Sequence, residues 1–291
     1  MTDHPITVAI DVMGGDNAPA VPVEGSVLAA QQGKANILLV GNQNEVEKEL
    51  SKHDAKNLPI TVIPSIGKIE DTEAPALGLR QKPKASILMA THLVKSGKAN
   101  AVVSMGSTGA TMASAVVLLG TIDGIDRPAI GGPIVGSAPN QVILDLGSNL
   151  DCRPQQLVGF GVLGSVFSQH LLKIADPKIG LLSVGSEEGK GNTQIKDATE
   201  LFKKSGLNFI GNVEGNDLVT GKADIVVCDG FVGNVVLKLV EGLSRSLVSQ
   251  LQSALTNSIP AEVVSELINK LVSENNVVDS RGGGPIFGVT E

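Results

Sequence analysis

The sequence predicts an α/β fold in which a mostly parallel sheet is covered by helices on both sides. Three observations carry that prediction. Short β-branched or aliphatic runs recur with little polar alternation, as in parallel strands buried on both faces. Each run closes on Gly, Asp, Asn or Ser, the residues of tight turns. Segments with apolar residues at helical spacing lie between the runs. Such strand–helix alternation implies right-handed crossovers around an open sheet.

In chain order, the first run is Ile6 to Ile10, ending at Asp11-Val12-Met13-Gly14-Gly15-Asp16. Ile37 to Val40 ends at Gly41-Asn42, and Ala101 to Val103 ends at Ser104-Met105-Gly106-Ser107-Thr108-Gly109. Val142 to Leu144 ends at Asp145-Leu146-Gly147-Ser148-Asn149. Ile179 to Val184 ends at Gly185, and Ile225 to Cys228 ends at Asp229-Gly230. Helical spacing marks Ser86 to Gly97, Val158 to Ile174 and Asp197 to Lys204. Asp126 to Gln141, rich in Gly, Pro and Ala, reads as a loop or a hairpin. Leu247 to Val272 reads as two helices around Pro260, with Val263, Val264, Leu267, Ile268, Leu271 and Val272 forming one apolar stripe. The whole chain, 1–291, is expected to be a single α/β/α catalytic domain with a helical excursion at about residues 244–278.

Composition narrows the function. The 291 residues are 42% hydrophobic and 18% charged, enough for a sizeable core. No apolar run approaches the ~18 residues of a membrane span. Met1 to Pro5 lacks the basic and apolar regions of a signal peptide. Two cysteines, Cys152 and Cys228, make no disulfide framework and fit a reducing cytoplasm. A net charge of −7, six Phe and no Trp or Tyr argue against nucleic acid as a partner. His4, His53, His92 and His170 are scattered without ligand spacing, so no metal is expected, and no cofactor motif appears.

Ligands of parallel sheets bind beyond the carboxyl ends of the strands, so the Gly-rich turns are the candidate sites. In the first turn, Gly14 and Gly15 let backbone N–H groups approach an anion, while Asp11 and Asp16 could hold a cation, an amide or the next helix. The spacing is not that of a dinucleotide fingerprint, and a plain turn with a capping Asp is the competing reading. Ser107, Thr108 and Gly109 open an Ala/Val-rich helix, and converging N–H groups there suit an oxyanion. An ordinary N-cap by Ser107 or Thr108 explains the same residues. Gly185-Ser186-Glu187-Glu188-Gly189-Lys190-Gly191-Asn192 differs from a P-loop, because three residues separate its first two glycines and Gly follows the Lys. Lys190 between glycines nevertheless presents an ammonium to an anion. Asp229-Gly230-Phe231-Val232-Gly233-Asn234 follows a strand and opens a helix. Asn234 either donates its amide to a ligand oxygen or caps that helix. Cys228, inside an apolar strand, reads as a packing residue, and no G-x-S-x-G elbow supports a serine triad.

Several of these segments resemble the PlsX phosphate acyltransferase family. Asp11-Val12-Met13-Gly14-Gly15-Asp16 is similar to the family's D-A-M-G-G-D. Gly124 to Ala129, Asp145 to Cys152, Glu187 to Asn192, Val213 to Leu218 and Asp224 to Lys238 also resemble it. The resemblance implies a Rossmann-like α/β/α homodimer related to phosphotransacetylases and isocitrate dehydrogenases. It implies reversible transfer of a long-chain acyl group from acyl-[acyl-carrier protein] to inorganic phosphate. The acyl phosphate then feeds a membrane glycerol-3-phosphate acyltransferase in phospholipid synthesis. On that reading Lys190 and Asn234 are the catalytic candidates. Asp11, Gly14, Gly15, Asp16, Ser107, Thr108, Gly109, Asn149, Asn192, Asp229, Gly230 and Gly233 are the phosphate- or substrate-binding candidates. Arg80, Lys82 and Lys84 are candidates for docking the acidic carrier protein, and peripheral membrane contact is expected of a cytoplasmic enzyme with a greasy product. Relatives carry Asn at Ser107 and Arg at Asn216, and continue past Glu291 through another strand and helix. The rival readings are a short-chain acyl-coenzyme A phosphate acyltransferase and a non-catalytic lipid-binding or scaffold protein.

Overall fold

The computed structural model describes residues 5–135, 137–256, 263–267 and 284–290. The sequence reads as one domain, but the chain divides into two compact units, residues 1–122 with 289–291 and residues 123–288. The physical reason is that each unit has its own sheet, and every hydrophobic cluster draws its residues from one unit.

The first unit alternates strands and helices: β1 Ile6–Asp11, α1 Ala20–Gln31, β2 Ala35–Gly41, α2 Gln43–Leu50 and β3 Ile60–Pro64. It continues with α3 Pro75–Gln81, α4 Ser86–Lys95, β4 Ala101–Ser104 and α5 Thr108–Leu118. The strands lie in the order β3-β2-β1-β4 and all pair parallel. Strand side chains alternate between faces, and both faces are apolar. Ile10, Val12, Ile37 and Leu39 pack with Val23, Ala30 and Val46 from α1 and α2. Ala9 and Val40 pack on the other face with Ala90 and Leu93 of α4.

The second unit holds β5 Ala129–Pro133, β6 Val142–Leu144, α6 Pro154–His170, β7 Ile179–Leu182, α7 Thr193–Lys204 and β8 Phe209–Val213. A 3-10 turn at Gly215–Val219, β9 Ile225–Val227, α8 Gly230–Thr256 and β10 Ile286–Phe287 complete it. Its sheet order is β10-β5-β6-β9-β7-β8, with the β6, β9, β7 and β8 pairs parallel and β5 antiparallel to both its neighbours. The Gly/Pro-rich segment is therefore a hairpin built on β5 and β6. One face of this sheet packs Leu144, Leu181 and Val227 with Phe160 and Phe202 of α6 and α7. The other packs Ile143, Val226 and Cys228 with the partly buried Val236 and Leu237 of α8.

The end of the helical region corrects the sequence. Instead of a helix beginning near Leu247, α8 runs unbroken for 27 residues from Gly230. Residues 263–267 are helical, with Val264 buried while Val263 and Leu267 are about half exposed. Pro260, Ile268, Leu271 and Val272 lie outside the described residues.

Candidate active site

In the first unit, the carboxyl ends of β1 and β4 lie side by side, with Asp11 opposite Ser104. Asp11 is 3% exposed, and its carboxylate is occupied. One oxygen accepts the Ser104 hydroxyl at 2.8 Å, the other accepts Met13 N–H at 3.2 Å, and Ser104 Oγ in turn accepts Gly106 N–H at 3.0 Å. The two turns press together: a Cβ on Gly14 would stand 2.5 Å from Gly106 N, so no larger residue fits there. Gly15 follows beside the Met105 carbonyl, and Asp16 is exposed with no hydrogen bond or ion pair among the described residues. Ser107 caps α5, accepting Ala110 N–H at 3.4 Å, so the capping reading holds for it. Thr108 and Gly109 form the first turn of that helix.

In the second unit, the turns after β6 and β9 meet at Asp145. This carboxylate is fully buried and accepts from the backbone N–H groups of Ile130, Gly147, Ser148 and Asn149. The Ser148 hydroxyl and the Asn149 amide also donate to it, at 2.7 and 2.9 Å. A buried carboxylate is tolerated because these donors replace its water. Asn149 also donates to the Pro128 carbonyl at 2.8 Å, so its amide braces the turn. Its own carbonyl accepts Gly230 N–H at 2.7 Å, tying the start of α8 to the same turn. Gly233 packs against this turn so closely that a Cβ would fall 1.8 Å from the Asp145 carbonyl oxygen.

Asp229 caps α8 by accepting Val232 N–H at 2.9 Å. Asn234 is therefore inside the helix and not its cap. It is exposed, and lies over Gly147. Asn192 caps α7, accepting Ile195 N–H at 2.9 Å. Lys190 is exposed and has no ion-pair partner among the described residues. The structure thus makes helix caps of Ser107, Asn192 and Asp229 and a brace of Asn149, and leaves the Lys190 and Asn234 side chains exposed with no hydrogen bond or ion pair among the described residues.

Two clefts adjoin these turns. One of about 220 Å³ is lined by Leu182, Val184, Asn192, Ile195, Asp229 and Val232, among others. A wider one of about 510 Å³ is lined by Arg127, Asn149, Leu150, Asp151 and Arg153, with Ser148 and Gln156. The sequence reading assigned no role to Arg127 or Arg153. Arg127 lies in the Gly124 to Ala129 segment already singled out, and an Arg one residue ahead of Pro154 is a cue to a helix start. Arg153 pairs with Asp126 at 2.9 Å, both largely exposed. Both thiols are buried, which disfavours the thiolate a nucleophile needs. Burial, then the Asp145 and Asp229 carboxylates, push Cys152 up to about 12, and burial raises Cys228 further still. Among the described residues no group of His, Cys, Asp and Glu could hold a metal ion, and no helix is long and apolar enough to cross a membrane.

The family described as "Fatty acid synthesis protein" matches residues 6–291. Phosphate acyltransferases of Lawsonia intracellularis and Pelotomaculum thermopropionicum are 47% and 48% identical to this chain. They match over 85% and 82% of this chain and 72% and 70% of their own lengths. A phosphotransacetylase from Streptococcus pyogenes shares the fold, with a TM-score of 0.62 at 19% identity over 83% of this chain and 82% of that one. Another, from Staphylococcus aureus, has a TM-score of 0.57 at 19% identity over 82% of each chain. Strand-end glycine turns of this kind, on this fold and at this level of identity, establish that the chain belongs to the phosphate acyltransferase family.

Proposed function

We propose that this chain transfers a long-chain acyl group reversibly from acyl-[acyl-carrier protein] to inorganic phosphate, releasing acyl phosphate for phospholipid synthesis. The observation that carries the reading is Lys190, an exposed ammonium with no ion-pair partner among the described residues, held between two glycines in the loop that follows β7, in a chain of this family. A phosphate oxygen attacks the thioester carbonyl carbon, an oxyanion forms, and the carbon–sulfur bond breaks to expel the carrier thiolate. That leaving group, of pKa ~8.5, needs little acid assistance. The protein's tasks are orientation and charge stabilisation at the carbonyl oxygen. Lys190 supplies the charge and Asn234 a neutral donor. In the first unit, the Asp11 carboxylate is already occupied by Ser104 and Met13.

The carrier protein is acidic, and Arg80 and Lys84 are the basic groups proposed to meet it. Lys82 is already bound to Glu73 and the Lys68 carbonyl. We further propose a cytoplasmic homodimer that touches the membrane surface peripherally and hands its product to a membrane glycerol-3-phosphate acyltransferase. Incubation with palmitoyl-[acyl-carrier protein] and phosphate, followed by trapping of acyl phosphate as its hydroxamate, tests the reading. Product with the carrier substrate is expected. Product with acetyl-coenzyme A alone would transfer the chain to the short-chain class, and none with either would leave a non-catalytic protein.

A further inference from the structure

Lys190 sits on a four-residue turn, Glu187 to Lys190, closed by Lys190 N–H donating to the Glu187 carbonyl at 3.2 Å. Both ends of that turn are gripped from β8. The Asn212 amide donates to the Glu187 carbonyl and to the Lys190 carbonyl, each at 3.3 Å. Two carbonyl acceptors fix which end of the amide carries the nitrogen. Asn212 is 7% exposed, so water does not readily replace these bonds. Two residues on, Glu214 accepts Ser186 N–H at 2.9 Å, just ahead of the turn. Glu214 is itself fixed, its N–H donating to Asp217 at 2.9 Å, and Asp217 in turn pairs with Lys222 at 3.0 Å.

We infer that Asn212, assisted by Glu214, is a positioning residue that fixes the backbone of Lys190 and so sets where its ammonium points. The inference rests on the acyltransferase reading in which Lys190 stabilises the thioester oxyanion. A lysine stem has several free rotors, so its aim is set by the backbone it leaves and by what its first carbons pack on. Here the stem crosses Gly185, where an added Cβ would come within 3.1 Å of Lys190 Cγ. The flanking glycines, Gly189 and Gly191, have φ of +87° and +102° and do not themselves hold the loop. The grip from β8 holds it instead. Displacing a catalytic group by about 1 Å can cost about 10²-fold in rate.

A double-mutant cycle on the intact chain, with acyl-[acyl-carrier protein] and phosphate, tests this. Asn212→Leu keeps the volume and removes both donors. It is expected to lower kcat about 10- to 10²-fold with KM for phosphate little changed. In the Lys190→Ala background the same change is expected to lower kcat less than twofold, while its effect on Tm is the same in both backgrounds. Glu214→Ala, on a residue nearer the surface, repeats the test if Asn212→Leu fails to fold, and Glu214→Gln, which keeps the acceptor, should recover the loss. Equal kcat losses with and without Lys190, when Lys190→Ala is itself damaging, would overturn the positioning role and leave the Lys190 reading standing. Full turnover by Lys190→Ala would overturn both.

Discussion

At the residue scale, the second unit separates groups that hold the turns from groups that face outward. Lys190→Ala is expected to lower turnover by on the order of 10²–10³ with unchanged circular dichroism, since one preorganised charge donor is lost. Asn234→Ala should be milder, as a neutral amide contributes less than a charge. Its Tm should hold, because Asp229 and not Asn234 caps α8. Gly233→Ala is the opposite case. Its methyl has no room against the Asp145 carbonyl, so a loss of at least about 3 kcal/mol is expected by chemical denaturation. The Cys152 thiol gives a pH test. Folding raises it from 9.0 to about 12, so between those values the unfolded chain has released a proton that the folded chain keeps. Its stabilising effect is complete below pH 9 and is lost as pH rises toward 12. Denaturation midpoints should fall over that window, less steeply in Cys152→Ser.

At the scale of the element, α8 is the least expected part of the chain. Its inner face supplies Val236 and Leu237 to the core. Phe231, Val235, Leu239, Leu243, Leu247 and Leu251 recur every four residues and are each 44–64% exposed. Residues four apart are neighbours on a helix surface, although each step of four turns about 40° around the axis, so the row winds across the exposed side. Its central members Leu239, Leu243 and Leu247 make an exposed apolar strip of the kind that a partner covers. A charge placed there should cost the isolated chain little. Leu243→Asp with Leu247→Asp is expected to leave Tm within a few degrees, because exposed positions change stability by about 0.5 kcal/mol or less. A marked fall at micromolar concentration that vanishes on dilution would show that another copy covers the row in solution. The sequence pointed to an apolar stripe nearby, over Val263 to Val272, but the α8 row escaped it. The cause is that the helix opened by Asp229 to Asn234 and the helix read from Leu247 pass for separate elements in the sequence, while the structure joins them in one.

At the scale of the whole molecule, light scattering at micromolar concentration is expected to give twice the chain's 29.9 kDa, and a 29.9 kDa particle would refute the homodimer. Much of the architecture was legible beforehand. The runs at Ile6, Ile37, Ala101, Val142, Ile179 and Ile225 are all strands. Those at Val142, Ile179 and Ile225 are buried throughout, as unbroken aliphatic runs predict, while the edge strand at Ala101 is half exposed. What escaped was locally weak. β8 is interrupted by Gly211 and Asn212, and α1 exposes Val21 and Leu28 while burying Val23 and Val27, which blurs its apolar face. The division into two units was also hidden, because period and composition say which residues are buried but not which sheet they are buried against. The sequence by itself determined the α/β class, the strand-end placement of the glycine turns and the family. Tertiary structure alone decided which polar side chains in those turns are free. Whether Asn149 or Lys190 faces a ligand depends on what Pro128 and Asn212 offer from more than twenty residues away, and hydrogen-bond partners brought together by folding leave no mark on local sequence.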